Sequence, residues 1–76
     1  MNANRRKMIA KAAELLEQAA ELLEQAAEEE TEALENMPES IQESERGETM
    51  QNSIDILTEA VDTIRDAADT LDEARA

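Results

Sequence analysis

The chain has no cysteine, no histidine and no aromatic residue, and only one glycine and one proline among 76 residues. Without cysteine there is no disulfide framework and no thiolate metal site. Without histidine the commonest general base and the commonest transition-metal ligand are missing, and so is the Glu-x-x-His pair that a di-iron bundle requires. Without aromatics there is no platform on which bases or sugars could stack. Cations are also scarce. Seven Lys and Arg against 20 Asp and Glu leave a formal charge of −13, so direct binding to nucleic-acid phosphates or to an anionic membrane would oppose the protein's own field.

The remaining chemistry is carboxylate chemistry, and its setting is poor for catalysis. No Asp-x-Asp-x-Asp-Gly loop exists to hold calcium; Glu28-Glu29-Glu30 and Asp72-Glu73 could attract divalent cations only loosely. Glycoside hydrolysis by paired carboxylates needs a concave pocket and one raised pKa, which exposed rows of acid do not supply. No catalytic, cofactor-binding or metal-ligating residue is therefore assigned, and no cofactor is expected.

What the chain does have is helical periodicity. From Ala12 the motif Ala-Ala-Glu-Leu-Leu-Glu-Gln runs over 12–18, repeats over 19–25 and begins again at Ala26. With Ala12 at heptad position a, the alanines 12, 19, 26 and 33 form column a. Met8, Leu15 and Leu22 form d, and Ile9, Leu16 and Leu23 form e. Column b holds Ala13, Ala20, Ala27 and Leu34. Four apolar columns make a face wider than one neighbour needs. At Glu28-Glu29-Glu30 acids enter d and e, so that end is expected to be frayed, splayed or held by contacts the heptad does not predict.

The second half is a cleaner heptad. Met50, Ile54, Leu57, Val61, Ile64, Ala68 and Leu71 are spaced 4, 3, 4, 3, 4, 3, an unbroken a/d repeat flanked by the alanine column 60, 67, 74. Acidic composition alone would permit disorder; this spacing argues against it.

These patterns predict an all-α fold: an antiparallel two-helix coiled-coil hairpin, with a first helix over about 4–36, a connector over 37–44 and a second helix over about 45–74. Folding back near Ser40 is expected to set Met8 against Leu71, Leu15 against Ile64 and Leu22 against Leu57. The basic head Arg5, Arg6, Lys7, Lys11 opposes the helix dipole and is expected to find counter-charges at Asp69, Asp72 and Glu73, though an anion or partner site is the other reading. No apolar stretch follows the head before Glu14, so it is not read as a secretory signal. The stripe left over, Ile9, Leu16 and Leu23 with Ala13 and Ala20, is assigned as an oligomer interface that joins two hairpins in a four-helix bundle.

In the connector, Pro38 ends the first helix around Glu35–Met37. Ser44 is placed to cap the second helix, and Ser40-x-x-Glu43 spells a capping box for a short extra turn. Gly47 reads as a weak helix position. Met37 and Ile41 read as a plug over the hairpin end or as part of a recognition loop. The stretch Asn36-Met37-Pro38-Glu39-Ser40 with Ser44-Glu45-Arg46-Gly47-Glu48, the Arg-Arg-Lys head and the acidic heptads together resemble a group of small acidic proteins encoded by bacteriophages and prophages. That resemblance implies a helical hairpin working in a bacterial cytoplasm.

Asp55, Glu59, Asp62, Asp66, Asp69 and Glu73 follow b and f of the second helix. Glu14, Glu17, Glu21, Glu24, Glu28 and Glu35 follow c and f of the first. Past Lys11 the rows are broken mainly by Arg65, although like charges one turn apart are mildly destabilising. Solubility alone would explain them. The sharper expectation is a non-enzymatic acidic inhibitor that mimics DNA toward a basic, nucleic-acid-binding bacterial host protein. Asp55, Glu59, Asp62, Asp66 and Asp69, with Ile41 and Arg46 in the connector, are then the candidate partner-binding residues. A structural oligomerisation module is the alternative. Either way the expected partners are a second copy and a host protein, with no direct nucleic acid and no membrane.

Overall fold

A computed structural model describes all residues, 1–76. It has three helices and no strand: α1 (Ala3–Glu35), α2 (Glu39–Gln42) and α3 (Glu45–Ala74). The long helices α1 and α3 pack against each other as a hairpin rod, 58 × 14 × 12 Å along its principal axes.

On α3 the seam is the heptad read from the sequence. Ile54, Val61 and Ala68 are buried, and Met50, Leu57, Ile64 and Leu71 are half-buried beside them. On α1 the seam is not the stripe expected. Met8, Leu15 and Leu22 lie 65%, 52% and 69% exposed. The buried positions are Ala20 and Ala27, with Ile9, Ala13, Leu16, Leu23 and Leu34 half-buried along the same line. The hairpin thus closes on columns b and e rather than a and d. Both stripes offer alanine and leucine, but only b/e continues past the acids to a large apolar residue, Leu34. It also places Glu17 and Glu24 where they reach Arg65 across the hairpin, at 3.1 and 2.7 Å.

Because α1 and α3 run in opposite directions, the buried positions climb one helix through Ala20 and Ala27 while they descend the other through Val61 and Ile54. Alanine on one side lets the helix axes approach closely, at the expense of core volume. Only six of 76 residues are buried, which is little apolar area for a chain that must offset the entropy of ordering two long helices.

The helix ends depart from expectation in several places. At the start of α1, Asn2 accepts the Arg5 amide on Oδ1 at 2.9 Å and satisfies one of the free N–H groups of the first turn. Arg5, Arg6 and Lys7 form no ion pair; Asp72 pairs instead with Arg75, and Lys11 with Glu14 on its own helix. The expected counter-charge role for Asp69, Asp72 and Glu73 is corrected accordingly. At the other end α1 does not fray at Glu28-Glu29-Glu30 but continues to Glu35. Glu30 is half-buried at the edge of the seam, which a glutamate tolerates because its aliphatic stem can be covered while the carboxylate stays in water.

The connector is a folded element. Pro38 precedes the single turn α2, whose end the Ser44 hydroxyl tightens by donating to the Ile41 carbonyl. Ser44 is the N-terminal cap position of α3, yet its side chain caps nothing there; the hydroxyl is spent on α2. Gln42 Nε2 donates to the Met37 carbonyl at 2.7 Å and to the Glu35 carbonyl at 3.4 Å, tying down the end of α1. Gly47, far from being a mere weak position, is buried. A Cβ built there would collide with the carbonyls of Gln42 and Ile41. Its conformation is ordinary, since no residue has positive φ; what the site requires is the missing side chain.

Candidate functional site

Counting about 100° of rotation per residue from each seam separates the two flanks of the hairpin. One flank is anchored by Arg65, which donates from Nε to Glu17 at 3.1 Å and from Nη1 to Glu24 at 2.7 Å. These contacts raise the guanidinium pKa above its ordinary value, chiefly through the hydrogen bond to Glu24 and then that to Glu17, with desolvation acting the other way. It is the one cation that bridges the two long helices.

Next to this bridge the helices part over a groove of about 420 Å³. The cause is local. Between Leu23 and Leu34 the groove side of α1 places the small residues Ala27 and Thr31 opposite Ile54, Thr58 and Val61. Ala27, Ile54 and Val61 floor the groove, and Glu24, Glu28, Glu32 and Asp62 rim it. The two threonine hydroxyls are occupied within their own helices, Thr31 donating to the Ala27 carbonyl at 2.8 Å and Thr58 to the Ile54 carbonyl at 2.9 Å. Glu28, Glu32 and Asp62 have no cation of this chain against them, because the four acids in ion pairs are Glu14, Glu17, Glu24 and Asp72. The result is an apolar slot with an anionic rim. An apolar floor under an anionic rim matches the chemistry of a lysine or arginine side chain, which joins an aliphatic stem to a charged head.

Of the acids proposed from the sequence for partner binding, Asp55, Glu59, Asp62, Asp66 and Asp69 are all exposed along α3, and Asp62 belongs to the groove. Glu28 and Glu32 were not assigned to any partner site; that they share a slot with Asp62 depends on the gap left by Ala27 and Thr31. Ile41 is half-buried in the connector and Arg46 is exposed without an ion pair, and neither lines the groove. The residues assigned to an oligomer interface, Ile9, Leu16, Leu23, Ala13 and Ala20, are those that close the hairpin itself; Ala20 has no exposed surface. A wide apolar face on a helix can be consumed from either edge, and here α3 takes the edge that was set aside for a second copy.

The opposite flank carries the exposed apolar residues. Met8, Leu15 and Leu22 of α1 lie on it with Ile56 of α3, which is 57% exposed, and with the alanines 12, 19 and 26 between them.

No group of three or more acids is arranged to hold a metal ion, and no helix is long and apolar enough to cross a membrane. The fold defines a class: a small acidic two-helix hairpin with a connecting turn. Comparison with protein-family models, with curated proteins and with solved structures finds no match to this chain.

Proposed function

We propose that the hairpin acts by binding rather than catalysis, as a phage-type acidic inhibitor that occupies the basic, nucleic-acid-binding surface of a bacterial host protein in the host cytoplasm. The observation that carries this reading is the unneutralised acid. Sixteen of the twenty carboxylates have no ion-pair partner within the chain, and three of them rim a slot that matches the chemistry of a lysine or arginine side chain. A net 13 charges over a 58 Å rod amount to about one per 4.5 Å. Duplex DNA carries one per ~1.7 Å. A single hairpin is thus a dilute imitation of a phosphate backbone, and two copies side by side would halve the spacing. Association of two hairpins into a four-helix bundle belongs to this proposal for that reason, and because one hairpin buries so little.

The test is capture from bacterial extract on the immobilised hairpin, eluted by a salt gradient, beside the variant Asp62→Asn, Asp66→Asn, Asp69→Asn. The expected result is a basic protein that elutes with salt, is displaced by duplex oligonucleotide and is lost from the variant. Retention that ignores both salt and the three substitutions would overturn the reading.

The exposed residues Met8, Leu15, Leu22 and Ile56 favour a second reading, a structural oligomerisation module whose acids only keep it dissolved. Under it the neutralised variant keeps its biological effect, and disruption of the apolar flank abolishes that effect.

A further inference from the structure

The exposed apolar flank and the distribution of charge along the rod point to one occupant. We infer that a second copy of the chain covers this flank, face to face and antiparallel, so that the open end of one hairpin lies over the connector end of the other. The inference rests on the self-association proposed above and gives it a surface and a direction.

The surface is the flank opposite the Arg65 bridge. Four of the five large apolar residues most exposed in the chain, Met8, Leu15, Leu22 and Ile56, share it. The alanines 12, 19 and 26 separate the large residues of α1. On α3 the alanines 60, 67 and 74 turn toward the same flank at about 100° per residue. The face is therefore two helices wide, with small columns that allow close approach and large side chains that stand proud of it. A stripe of that length is far more than scattered surface leucine.

The pattern on α1 is complementary to its own reversal. When two α1 helices run antiparallel with their centres near Glu17, Leu15 of each copy meets Ala19 of the other, Met8 meets Ala26, and Leu22 meets Ala12. Each large side chain falls on a small one, which is what an isologous two-fold contact requires. A parallel arrangement, α1 against α3 of the second copy, also sets large on small, with Met8 over Ala74. Apolar shape alone does not separate the two.

Charge separates them. Residues 1–20 and 61–76, the open half of the rod, hold six cations against seven acids; residues 21–60, the connector half, hold one cation against thirteen acids. The net charges are −1 and −12. A parallel pair stacks the two strongly anionic halves on each other. The antiparallel pair sets each anionic half against a nearly neutral one. It also brings Arg5, which shares the column of Ala12, Ala19 and Ala26 and has no ion pair within the chain, within about a turn of Glu29 and Glu30 of the second copy. These acids border the apolar stripe at the other end of α1. Arg5, which opposes its own helix dipole and finds no partner in its own hairpin, gains a counter-charge in this arrangement.

The acidic groove and the Arg65 bridge stay on the outer surfaces of such a dimer. Self-association and capture of a basic partner therefore use opposite faces and fail independently.

The experiment reads mass and orientation separately. Wild-type protein is expected to sediment at twice its 8.4 kDa chain mass, and Leu15→Glu with Leu22→Glu is expected to halve that mass. Both positions are already exposed in the single chain, and circular dichroism follows whether the helices survive. Because the chain has no cysteine, single-cysteine variants report direction in the otherwise native protein. Met8→Cys mixed with Ala26→Cys is expected to give a crossed disulfide on mild oxidation, whereas Met8→Cys mixed with Ala74→Cys is expected to give none. A wild-type mass of one chain at high micromolar concentration overturns the association itself. A dimer that crosslinks 8 to 74 and not 8 to 26 overturns the antiparallel direction and leaves the association standing.

Discussion

The Arg65 guanidinium reaches across the hairpin to Glu24, Nη1 to Oε2 at 2.7 Å, while its Nε holds Glu17 at 3.1 Å. One cation thus spans two successive acids of a single column on α1 and fixes which stripe of that helix faces α3. Arg65→Met keeps much of the apolar stem and removes the fork. It is expected to lower the thermal midpoint in dilute buffer, with the loss shrinking in 1 M salt, where screening acts over ~3 Å. An equal loss in both buffers would mean that the stem, not the charge, holds the helices. The pH sign is fixed by the direction of the shift. A guanidinium pKa raised in the folded state contributes stability that is present below the unfolded value and lost only as pH rises through the folded one. Titration of Arg65 therefore weakens the hairpin only in strongly alkaline solution, which a series of urea melts from neutral pH upward would check.

Gly47→Ala sets helix propensity against packing. Alanine is favoured over glycine inside a helix by roughly 0.5–1 kcal/mol. Against that, its Cβ would strike the Gln42 and Ile41 carbonyls, and forced overpacking typically destabilises by about 1–3 kcal/mol. The expected sign is destabilisation, read as a lower urea midpoint. A rise would show that α2 does not lie on α3 as described.

Thr31→Leu should stabilise. Thr31 is half-buried and lines the groove opposite Ile54 and Val61, leucine is the better helix former, and each additional buried methylene is worth roughly 0.8 kcal/mol. An expected gain of about 1 kcal/mol in chemical denaturation would come with weaker capture of any basic partner that uses the slot. Stability and binding moving in the same direction would separate the groove from the function.

Asn2→Ala removes the acceptor for the Arg5 amide. Loss of such a cap typically costs about 1 kcal/mol. Because it lies at the end of α1, the loss should fall on the first turn, as faster amide exchange at Arg5, with residues near Ala20 unaffected.

How much of this was legible in the sequence depended on how many readings each segment allowed. On α3 one apolar stripe exists, so Met50, Ile54, Leu57 and Val61 could be assigned to the seam from spacing alone. On α1 the alanine and leucine doublets lay two stripes side by side. The choice between them turned on Leu34 and on the reach of Arg65, both tertiary matters. Asn2 ahead of a run of helix formers was a cap signal in plain view. Gly47 was not readable, because its constraint comes from carbonyls that reach it only after α2 folds. The groove was equally hidden: Ala27 and Thr31 are ordinary helix residues until Ile54 and Val61 are placed across from them.

The uneven charge along the rod has a consequence before any contact is made. A body with −12 on one half and −1 on the other experiences a torque in an external field, and near a cationic surface that torque turns the connector forward. A free hairpin would therefore meet such a surface tip first, with Pro38 and α2 leading, and lie down along its acidic flank only afterwards. The antiparallel pair cancels that polarity, so association would change the direction of approach as well as the amount of charge delivered.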